Sequence, residues 1–380
     1  MSDFQIFSSD KNSLTATTAM KLGVSPARFA NWRWQMKNQI RTAAEASVFV
    51  ALDAAEEQGF QNDKIFNIAI TPYAMSLMRY RHDAQRNPCP VRLQLLPRQE
   101  ECLDQHGIAD PLQEKHHSPV AEVVHVYPDR VAFCVAQLCP IYCRFCFRKR
   151  RDDEQGLHFN RRIIARGIDY IRSNSKIRDV LLTGGDPLLA TDASLDALLS
   201  ELRTIPHVEI IRFGTRVPVT LPYRLTAALG EIFAKHHPIW LNTHFNCAEE
   251  LTPEACHGID ILLKNGVPVS NQTVLLRGIN ADNDKMLRLL KQLVYARVRP
   301  YYLFHPHLVV GTEHLRVPIS TGLAIMDSLQ GKVSGFAIPR YMLDTPSGKI
   351  PLTRQQLLKI DGQDAVLANN YGELWRERME

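Results

Sequence analysis

The sequence predicts an α/β fold, a barrel or open barrel of about six βα units that follows a helical N-terminal region. Apolar strand-like runs alternate with helix-like segments from about residue 125 to about residue 330. Such alternation is typical of parallel sheets built from βαβ units. About six units can be counted, fewer than in a closed (β/α)8 barrel, and short polar motifs follow several of the strands. Since barrel enzymes carry their chemistry at the carboxyl ends of the strands, these motifs are the candidate site.

The N-terminal region, residues 1–122, is expected to be mainly helical. Its pattern becomes helical at Ser25-Pro26, and proline suits the first turn of a helix. Residues 90–122 are expected to be rich in loops. The barrel is assigned to residues 123–345, and a loop and tail to residues 346–380.

The barrel region is justified element by element from its apolar periodicity. Strands are predicted at 130–135, 179–183, 208–213, 239–243, 267–275 and 299–304. Helices are predicted at 161–173, 194–203, 225–236, 253–265, 283–296 and 322–329.

The composition is ordinary for a globular protein, and an anionic substrate or cofactor would suffice as a partner for its modest positive charge. The chain has 380 residues, 45% hydrophobic and 22% charged, and its net charge of +5 requires no nucleic-acid partner. No apolar run approaches the ~18 residues that a membrane span needs. The first residues, Met1-Ser2-Asp3-Phe4, lack the charged and apolar regions of a secretory signal, so a cytoplasmic protein is expected.

A cysteine loop, Cys139-Pro140-Ile141-Tyr142-Cys143-Arg144-Phe145-Cys146, organises the chain. An apolar run at 131–135 precedes it and a basic run at 148–151 follows it. Three thiolates in a C-x3-C-x2-C spacing can hold three irons of a [4Fe–4S] cluster and leave the fourth iron open. The residues alone leave open a zinc site, a disulfide, and a zinc-dependent nucleic-acid module built on the basic run. The remaining five cysteines are scattered and predicted to be plain thiols: Cys89, Cys102, Cys134, Cys247 and Cys256.

Polar motifs follow the later strands. Gly184-Gly185-Asp186 ends a short strand, where glycines let the backbone approach a ligand and the carboxylate can accept from an ammonium. Residues 242–246 and Asn271-Gln272 place polar side chains at the barrel mouth, although structural hydrogen bonding explains such residues equally well. Asp344-Thr345-Pro346-Ser347-Gly348-Lys349 carries a lysine that is either solvated or, in a desolvated pocket, able to form a Schiff base.

Taken together, the motifs resemble the lysine 2,3-aminomutase family of radical S-adenosylmethionine (SAM) enzymes. The resemblance runs from about residue 30 to about residue 350, and it implies an incomplete (β/α)6-type radical SAM barrel behind a helical N-terminal region. Besides the cysteine loop, it is carried by Trp32-Arg33-Trp34-Gln35, Tyr127-Pro128-Asp129-Arg130, Ile205-Pro206-His207-Val208-Glu209, Trp240-Leu241-Asn242-Thr243-His244-Phe245-Asn246, Val274-Leu275-Leu276-Arg277-Gly278 and Arg297-Val298-Arg299-Pro300-Tyr301-Tyr302.

The resemblance implies a reaction and its cofactors. In this family a [4Fe–4S] cluster reduces SAM, and the resulting radical removes a hydrogen from the β-carbon of an amino acid. The amino group, held as an aldimine with pyridoxal 5′-phosphate (PLP), then moves from C2 to C3. An external electron donor of the flavodoxin or ferredoxin type is implied, and the oligomeric state stays open, a homo-oligomer included.

The resemblance also implies residue roles. Cysteines 139, 143 and 146 would bind the cluster, and Lys349 would be the internal aldimine lysine. The full set adds Gly185, Asp186, His244 and Gln272 for SAM, Arg130 for the PLP phosphate, Arg148 for the substrate carboxylate, and His307 and Asp344 for the substrate side chain.

The chain departs from the family pattern at three places. Lysine-specific members place two aspartates at the end of the substrate side chain; Asp344 matches one, whereas His307 stands in place of the other. The glycine-rich segment before Lys349 is also short. The chain ends without a closing cysteine cluster, so the zinc-binding, dimer-forming extension of some members is expected to be absent.

The substrate expected from this pattern is L-lysine. The alternatives are the same chemistry on glutamate or arginine, or synthesis of β-lysine for modification of translation elongation factor P.

Overall fold

The computed structural model describes residues 14–61, 66–78, 88–149, 161–353, 357–362, 364–369 and 372–378. A curved nine-stranded sheet forms the centre of this part of the chain. Short helices precede the sheet, longer helices cover its outer side, and a three-stranded sheet follows it.

The large sheet is ordered β1 to β9 along the chain. Strands β2 to β8 are parallel, and β1 and β9 add antiparallel edges. The strands are β1 (Val123–Tyr127), β2 (Arg130–Ala136), β3 (Asp179–Gly184), β4 (Ile210–Gly214), β5 (Ile239–Thr243), β6 (Val269–Val274), β7 (Arg299–Phe304), β8 (Arg340–Thr345) and β9 (Gly348–Pro351).

Among the described residues, seven short helices belong to the N-terminal region, and the longer ones lie between the parallel strands. The N-terminal helices are α1 (Leu14–Lys21), α2 (Pro26–Phe29), α3 (Trp32–Lys37), α4 (Ala43–Ser47), α5 (Ala54–Gln61), α6 (Pro72–Ser76) and α7 (Pro90–Leu95). The barrel helices are α8 (Arg161–Ser173), α9 (Asp192–Arg203), α10 (Val217–Thr220), α11 (Ala227–Lys235), α12 (Pro253–Lys264), α13 (Asn283–Tyr295) and α14 (Ile319–Ser328). No described helix is long and apolar enough to cross a bilayer.

The barrel core lies between the sheet and its outer helices. On β2, alternate residues Val131, Phe133 and Val135 are buried in it, as strand geometry requires. Helix α8 packs closely there: a Cβ on Gly167 would lie 2.3 Å from a ring atom of Phe133. A larger residue at 167 would push the helix off the strand.

The opposite face of the sheet lines an open concave interior. Leu181, Arg212 and Trp240 are neighbours in register on β3, β4 and β5, and none of them is buried. Trp240 is 42% exposed although it sits on a central strand. A ligand in the barrel interior would therefore meet polar and aromatic side chains.

A side chain joins the two edges of the large sheet. The Tyr127 hydroxyl on β1 accepts a hydrogen bond from the backbone N–H of Lys349 on β9 at 2.7 Å. Gly348 has φ +115°, and a Cβ there would lie 2.9 Å from the same hydroxyl oxygen, so glycine is required. The barrel is thus incomplete, with one tyrosine bridging its open seam.

The C-terminal residues form strands where a loop and tail were expected. Lys349 lies in β9, paired with Asp344 of β8. A three-stranded antiparallel sheet follows, made of β10 (Leu357–Asp361), β11 (Asp364–Ala368) and β12 (Leu374–Arg378). Its Glu377 pairs with Arg316 at 2.5 Å, which anchors this sheet to the barrel.

The predicted barrel is confirmed. All six predicted strands and six predicted helices are present, with ends that differ by three residues or fewer. The sequence interpretation missed β1, β8 and the strands after β8. These are edge or hairpin strands, and they lack the long apolar run that marks a central parallel strand.

Candidate active site

The cysteine loop follows β2 at the barrel mouth, and the N-terminal region holds it in place. The side-chain amide of Gln39 donates to the carbonyls of Cys139 and Pro140 at 3.2 and 3.0 Å. The backbone N–H of Arg144 donates to the carbonyl of Gln94 at 2.9 Å. The helical region therefore shapes the loop from outside the barrel.

The three loop thiols fit the chemistry of an iron–sulfur cluster. Cys139, Cys143 and Cys146 lie on one short loop with intermediate exposure, and they form no disulfide with one another. The Arg216 guanidinium lies against them, with Nη1 2.9 Å from the Cys143 Sγ. Burial, and then the neighbouring Cys143, raise the pKa of Cys146 to about 11. Within the described ranges, no set of three or more His, Cys, Asp or Glu is placed to hold a single metal ion.

The Gly-Gly-Asp segment after β3 is fastened directly to the start of the cysteine loop. The N–H of Gly185 donates to the Ala136 carbonyl at 2.5 Å, and that of Asp186 to the Leu138 carbonyl at 2.8 Å. A Cβ on Gly185 would lie 2.3 Å from the Gln137 carbonyl oxygen. The cysteine loop and the Gly-Gly-Asp segment, whose facing ends Cys146 and Gly184 are 38 positions apart in the sequence, thus form one surface.

The Asp186 carboxylate is engaged within the protein. Oδ2 accepts from the backbone N–H of Arg216 at 2.8 Å, and both oxygens accept from the Thr215 hydroxyl. Burial raises the pKa of Asp186 to about 6. Its visible role is to join the ends of β3 and β4; the predicted contact with the SAM ammonium stays a prediction.

His244 and Gln272 come together at the ends of β5 and β6. Burial, followed by the nearby charge of Arg216, lowers the pKa of His244 to about 4. A hydrogen bond with the Gln272 backbone opposes this lowering. His244 is therefore neutral at pH 7.

The neighbouring asparagines have structural roles, the alternative that the sequence left open. The Asn271 side chain accepts from the N–H of Phe245 at 2.7 Å and donates to its carbonyl at 2.9 Å. The Asn246 side chain accepts from the N–H of Val274 at 2.9 Å. These amides fix the turns after β5 and β6.

Lys349, Asp344 and His307 form a row at the top of β8 and β9. Nζ of Lys349 lies 2.7 Å from Oδ1 of Asp344, and Nε2 of His307 lies 4.0 Å from Oδ2. Burial is the largest single influence on the pKa of Lys349 and lowers it, but the charge of Asp344, the neighbouring Tyr127 and the hydrogen bond to Asp344 together outweigh burial, so the pKa is raised. Burial lowers the pKa of His307, only partly offset by Asp344, and its Nε2 has no hydrogen-bond partner among the described residues.

Arg148 lies within the same mouth but is already paired. Its Nε and Nη2 both donate to the buried carboxylate of Glu114, at 3.0 and 2.9 Å, and Nη1 donates to the Thr183 hydroxyl. The Nη1–Nη2 edge still has hydrogens for a second carboxylate, since a guanidinium carries five. The Phe147 ring lies between this arginine and the Lys349–Asp344–His307 row: Arg148 stacks over it, and its centre is 4.9 Å from that of the His307 ring. Arg150 and Arg151 of the basic run lie outside the described residues.

Arg130 lies at the opposite end of β2 from the cysteine loop, on the open seam. Its guanidinium stacks over the Tyr127 ring at 4.4 Å, the same tyrosine that binds the Lys349 backbone. The side chain is 45% exposed and its recorded ion pair, with Asp129, is 3.4 Å long. Arg130 is thus linked through Tyr127 to the backbone of Lys349.

The comparisons with known proteins agree with this geometry. The family model described as the Radical SAM superfamily matches residues 134–290, which include the cysteine loop. The L-lysine 2,3-aminomutases of Fusobacterium nucleatum and Clostridium subterminale are each 41% identical over 92% of this chain, which spans 82% and 83% of their lengths. The chain belongs to the lysine 2,3-aminomutase family. Glutamate 2,3-aminomutase of Clostridioides difficile, 39% identical, matches 90% of this chain and is covered to 80%.

Two buried groups of this aminomutase family member were not found from its sequence. Arg216 joins Cys143, Glu250, Gln94 and the His244 carbonyl. Glu114 holds Arg148. In the sequence, Arg216 could have been noticed only as a charged residue shortly after a buried strand. No local sequence pattern marks Glu114.

Proposed function

We propose that this protein is a radical SAM, PLP-dependent amino acid 2,3-aminomutase whose substrate is L-lysine. The observation that carries the proposal is the Lys349–Asp344 ion pair at 2.7 Å, beside an imidazole with a free nitrogen. A family match of 41% identity supports the reaction class. The ion pair supports a substrate with an ammonium, because Asp344 already holds one there.

The cofactors are those of the family. When bound, a [4Fe–4S] cluster with SAM supplies the hydrogen-abstracting radical, and PLP supplies the carrier for the migrating nitrogen. Cys139, Cys143 and Cys146 are the proposed cluster ligands, and Lys349 the proposed PLP lysine. Arg130 is the proposed ligand of the PLP phosphate; its stacking on the tyrosine that binds the Lys349 backbone supports this role.

SAM is proposed to lie between the cysteine loop and the ends of β3, β5 and β6. Gly185 offers backbone there because its Cα presses on the loop, and a side chain would block the approach. His244 is neutral and does not repel the sulfonium. Asp186 stabilises this surface by hydrogen bonds with the Thr215 hydroxyl and the Arg216 backbone. Gln272 is proposed to line the same site.

The substrate carboxylate is proposed to meet Arg148. Two hydrogen bonds to one carboxylate oxygen of Glu114 fix the plane of the guanidinium. Among the described residues, the Nη1–Nη2 edge has no carboxylate partner and is proposed to receive that of the substrate. Such a fixed fork orients the α-carbon relative to the barrel axis. Orientation of this kind is a main source of rate enhancement when the reactive group is the cofactor's.

The far end of the substrate is proposed to meet Asp344 and His307. A neutral imidazole can accept from an ammonium, and burial keeps His307 neutral. Asp344 supplies a negative charge for the ammonium. A glutamate side chain would bring its carboxylate against Asp344, so glutamate is the second candidate only if His307 is protonated when the substrate is bound.

Two finer features belong to the same proposal. An external electron donor of the flavodoxin or ferredoxin type would reduce the cluster. A cytoplasmic location fits thiols that must stay reduced to bind iron.

The test is product analysis with the full chain. Protein reconstituted anaerobically with iron and sulfide is incubated with SAM, PLP, a reductant and lysine, arginine or glutamate separately. The expected product is β-lysine, resolved by mass spectrometry after derivatisation. A β-amino acid from glutamate alone would overturn the substrate, and SAM cleavage with no β-amino acid from any of the three would overturn the reaction.

A further inference from the structure

We infer that Arg216 is a positioning residue for the cluster: it donates a hydrogen bond to the sulfur of Cys143 and thereby sets the reduction potential of the cluster. The inference rests on the proposed function, since it needs a cluster bound by Cys143. The carrying observation is that Nη1 of Arg216 lies 2.9 Å from the Cys143 sulfur.

The guanidinium is held in this position by its other donors. Nε donates to the His244 carbonyl at 3.1 Å, and Nη2 donates to the Glu250 carboxylate at 2.7 Å. Nη2 also lies 2.5 Å from the Gln94 side-chain oxygen. With these bonds made, the Nη1 edge faces Cys143.

The backbone of Arg216 is fixed as well. Its N–H donates to Asp186 at 2.8 Å, which ties it to the Gly-Gly-Asp segment. The guanidinium also stacks over the Phe145 ring of the cysteine loop, 5.1 Å from the ring centre. One arginine therefore connects the cluster loop with the surface proposed for SAM.

The surroundings make the charge of this arginine matter. Arg216 and Glu250 are both buried, so water screens them little. Glu250 also accepts from the N–H groups of Asn246 and Cys247, which spread its negative charge away from the cluster. The positive end of the pair faces the sulfur and the negative end faces away.

This orientation has a defined effect on electron transfer. Hydrogen bonds to the sulfurs, net charge and solvent exposure set the potential of an iron–sulfur cluster. A donor and a positive charge at Cys143 favour the reduced cluster, which carries one more electron. Arg216 therefore raises the potential and eases the one-electron reduction that SAM cleavage requires.

Two substitutions should move the potential in opposite directions. Arg216→Gln removes the charge and the bond to Cys143, so the potential should fall. Glu250→Gln removes the compensating negative charge but leaves Arg216 on the sulfur, so the potential should rise. A purely structural role for the pair predicts that both substitutions act alike. Arg92→Gln is the matched control, because Arg92 is also buried and paired with a glutamate, Glu56, and its side-chain hydrogen bonds, to Glu56 and the Ala51 carbonyl, do not involve the cysteine loop.

The measurement is a redox titration of the reconstituted full-length protein, followed by electron paramagnetic resonance, with iron and sulfide analysis. For each variant we expect at least a tenfold change in the oxidised-to-reduced ratio at fixed poise, about 59 mV for a one-electron couple. Arg92→Gln should keep the wild-type potential. If Arg216→Gln does not fold, Glu250→Gln and Arg216→Lys test the inference instead. A lysine has a single donor nitrogen and cannot make all the bonds of the guanidinium, so Arg216→Lys should also lower the reduction potential.

The outcomes separate this inference from the proposed function. Wild-type protein without a four-iron cluster would overturn both. Clusters that form in the variants with an unshifted potential would overturn the role of Arg216 alone. Shifts of the same sign in Arg216→Gln and Glu250→Gln, or loss of the cluster in both, would show a structural role only and also overturn it.

Discussion

Nζ of Lys349 lies 2.7 Å from Oδ1 of Asp344, directly across the β8–β9 hairpin. The two residues have different proposed partners, PLP for the lysine and the substrate ammonium for the aspartate. In the free protein these two side chains are instead paired with each other. Covalent engagement of Lys349 requires a neutral amine, so the lysine ammonium must first give up its proton and with it the ion pair. The same event leaves Asp344 free to receive the ammonium of the substrate.

Asp344→Asn should therefore speed covalent attachment of PLP near neutral pH. Burial lowers the pKa of Lys349, and the Asp344 charge is the largest cause that raises it. Without that charge the pKa falls, and each unit of fall increases the neutral fraction about tenfold. The rate of attachment, followed by the absorbance of the bound cofactor between pH 7 and 10, should rise at lower pH than in the wild type.

The control for this change is Asp361→Asn, an exposed carboxylate paired with Lys359 and Arg376 on the C-terminal sheet. It should behave as the wild type. An Asp344→Asn protein with an unchanged pH profile would mean that the ion pair does not control the amine. Turnover of lysine by Asp344→Asn should fall, because the substrate ammonium loses its charged partner.

Lys349 itself should carry the cofactor. Borohydride reduction of the PLP-loaded protein, followed by peptide mapping, should place the pyridoxyl group on Lys349, and Lys349→Ala should lose it. The control is Lys332, an exposed lysine nearby in sequence. Label on Lys332, or on any lysine of the Lys349→Ala protein at wild-type yield, would show that the short segment before Lys349 was matched wrongly to the family.

The barrel could be predicted from the sequence because each central strand is marked by a local sequence pattern. Central parallel strands such as β5 and β7 are short apolar runs between amphipathic helices, and their polar ends mark the mouth. The roles of Arg216 and Glu114 could not be predicted in this way. Their contacts with Cys143 and Arg148 span 73 and 34 residues, and no local pattern records which charge a buried arginine will meet.

Replacing Cys143 with alanine should abolish SAM cleavage, and the same holds for Cys139 and Cys146. Two thiolates cannot complete the three-cysteine site that leaves one iron open. The control is Cys102→Ala, which removes an exposed thiol outside the loop. After reconstitution, 5′-deoxyadenosine is measured by chromatography; formation at the wild-type rate by the Cys143→Ala protein would refute the cluster assignment.

Glu377→Ala should destabilise the protein through the C-terminal sheet. Glu377 pairs with the buried Arg316 and accepts from the Trp375 indole N–H at 3.1 Å. Removing one partner of a buried pair costs about 3–5 kcal/mol. Denaturant unfolding should show this loss, whereas Glu373→Gln on the same sheet, an exposed site, should change stability by less than about 0.5 kcal/mol. Equal stability of the two variants would mean that the sheet is not anchored through Glu377.

His307→Asp should improve the use of lysine at limiting substrate. The His307 Nε2 lies 4.0 Å from Asp344 and has no hydrogen-bond partner among the described residues, so an ammonium between them would have one charged and one neutral acceptor. A second carboxylate replaces the neutral acceptor with a charge-assisted one, worth about 1–3 kcal/mol at a desolvated site. Since about 1.4 kcal/mol is tenfold, kcat/KM for lysine should rise roughly ten- to a hundredfold.

The order of activity on lysine, arginine and glutamate tests whether His307 contacts the substrate side chain. His307→Asp should raise lysine above arginine and glutamate in the product assay, and His116→Asp, at an exposed position, should leave the order unchanged. The effect should persist between pH 7 and 8, because burial holds the pKa of His307 below its ordinary value and the wild-type ring stays neutral there. Wild-type activity on glutamate but not lysine would instead require a protonated His307. An unchanged ranking in His307→Asp would remove this residue from the substrate site while leaving the reaction class intact.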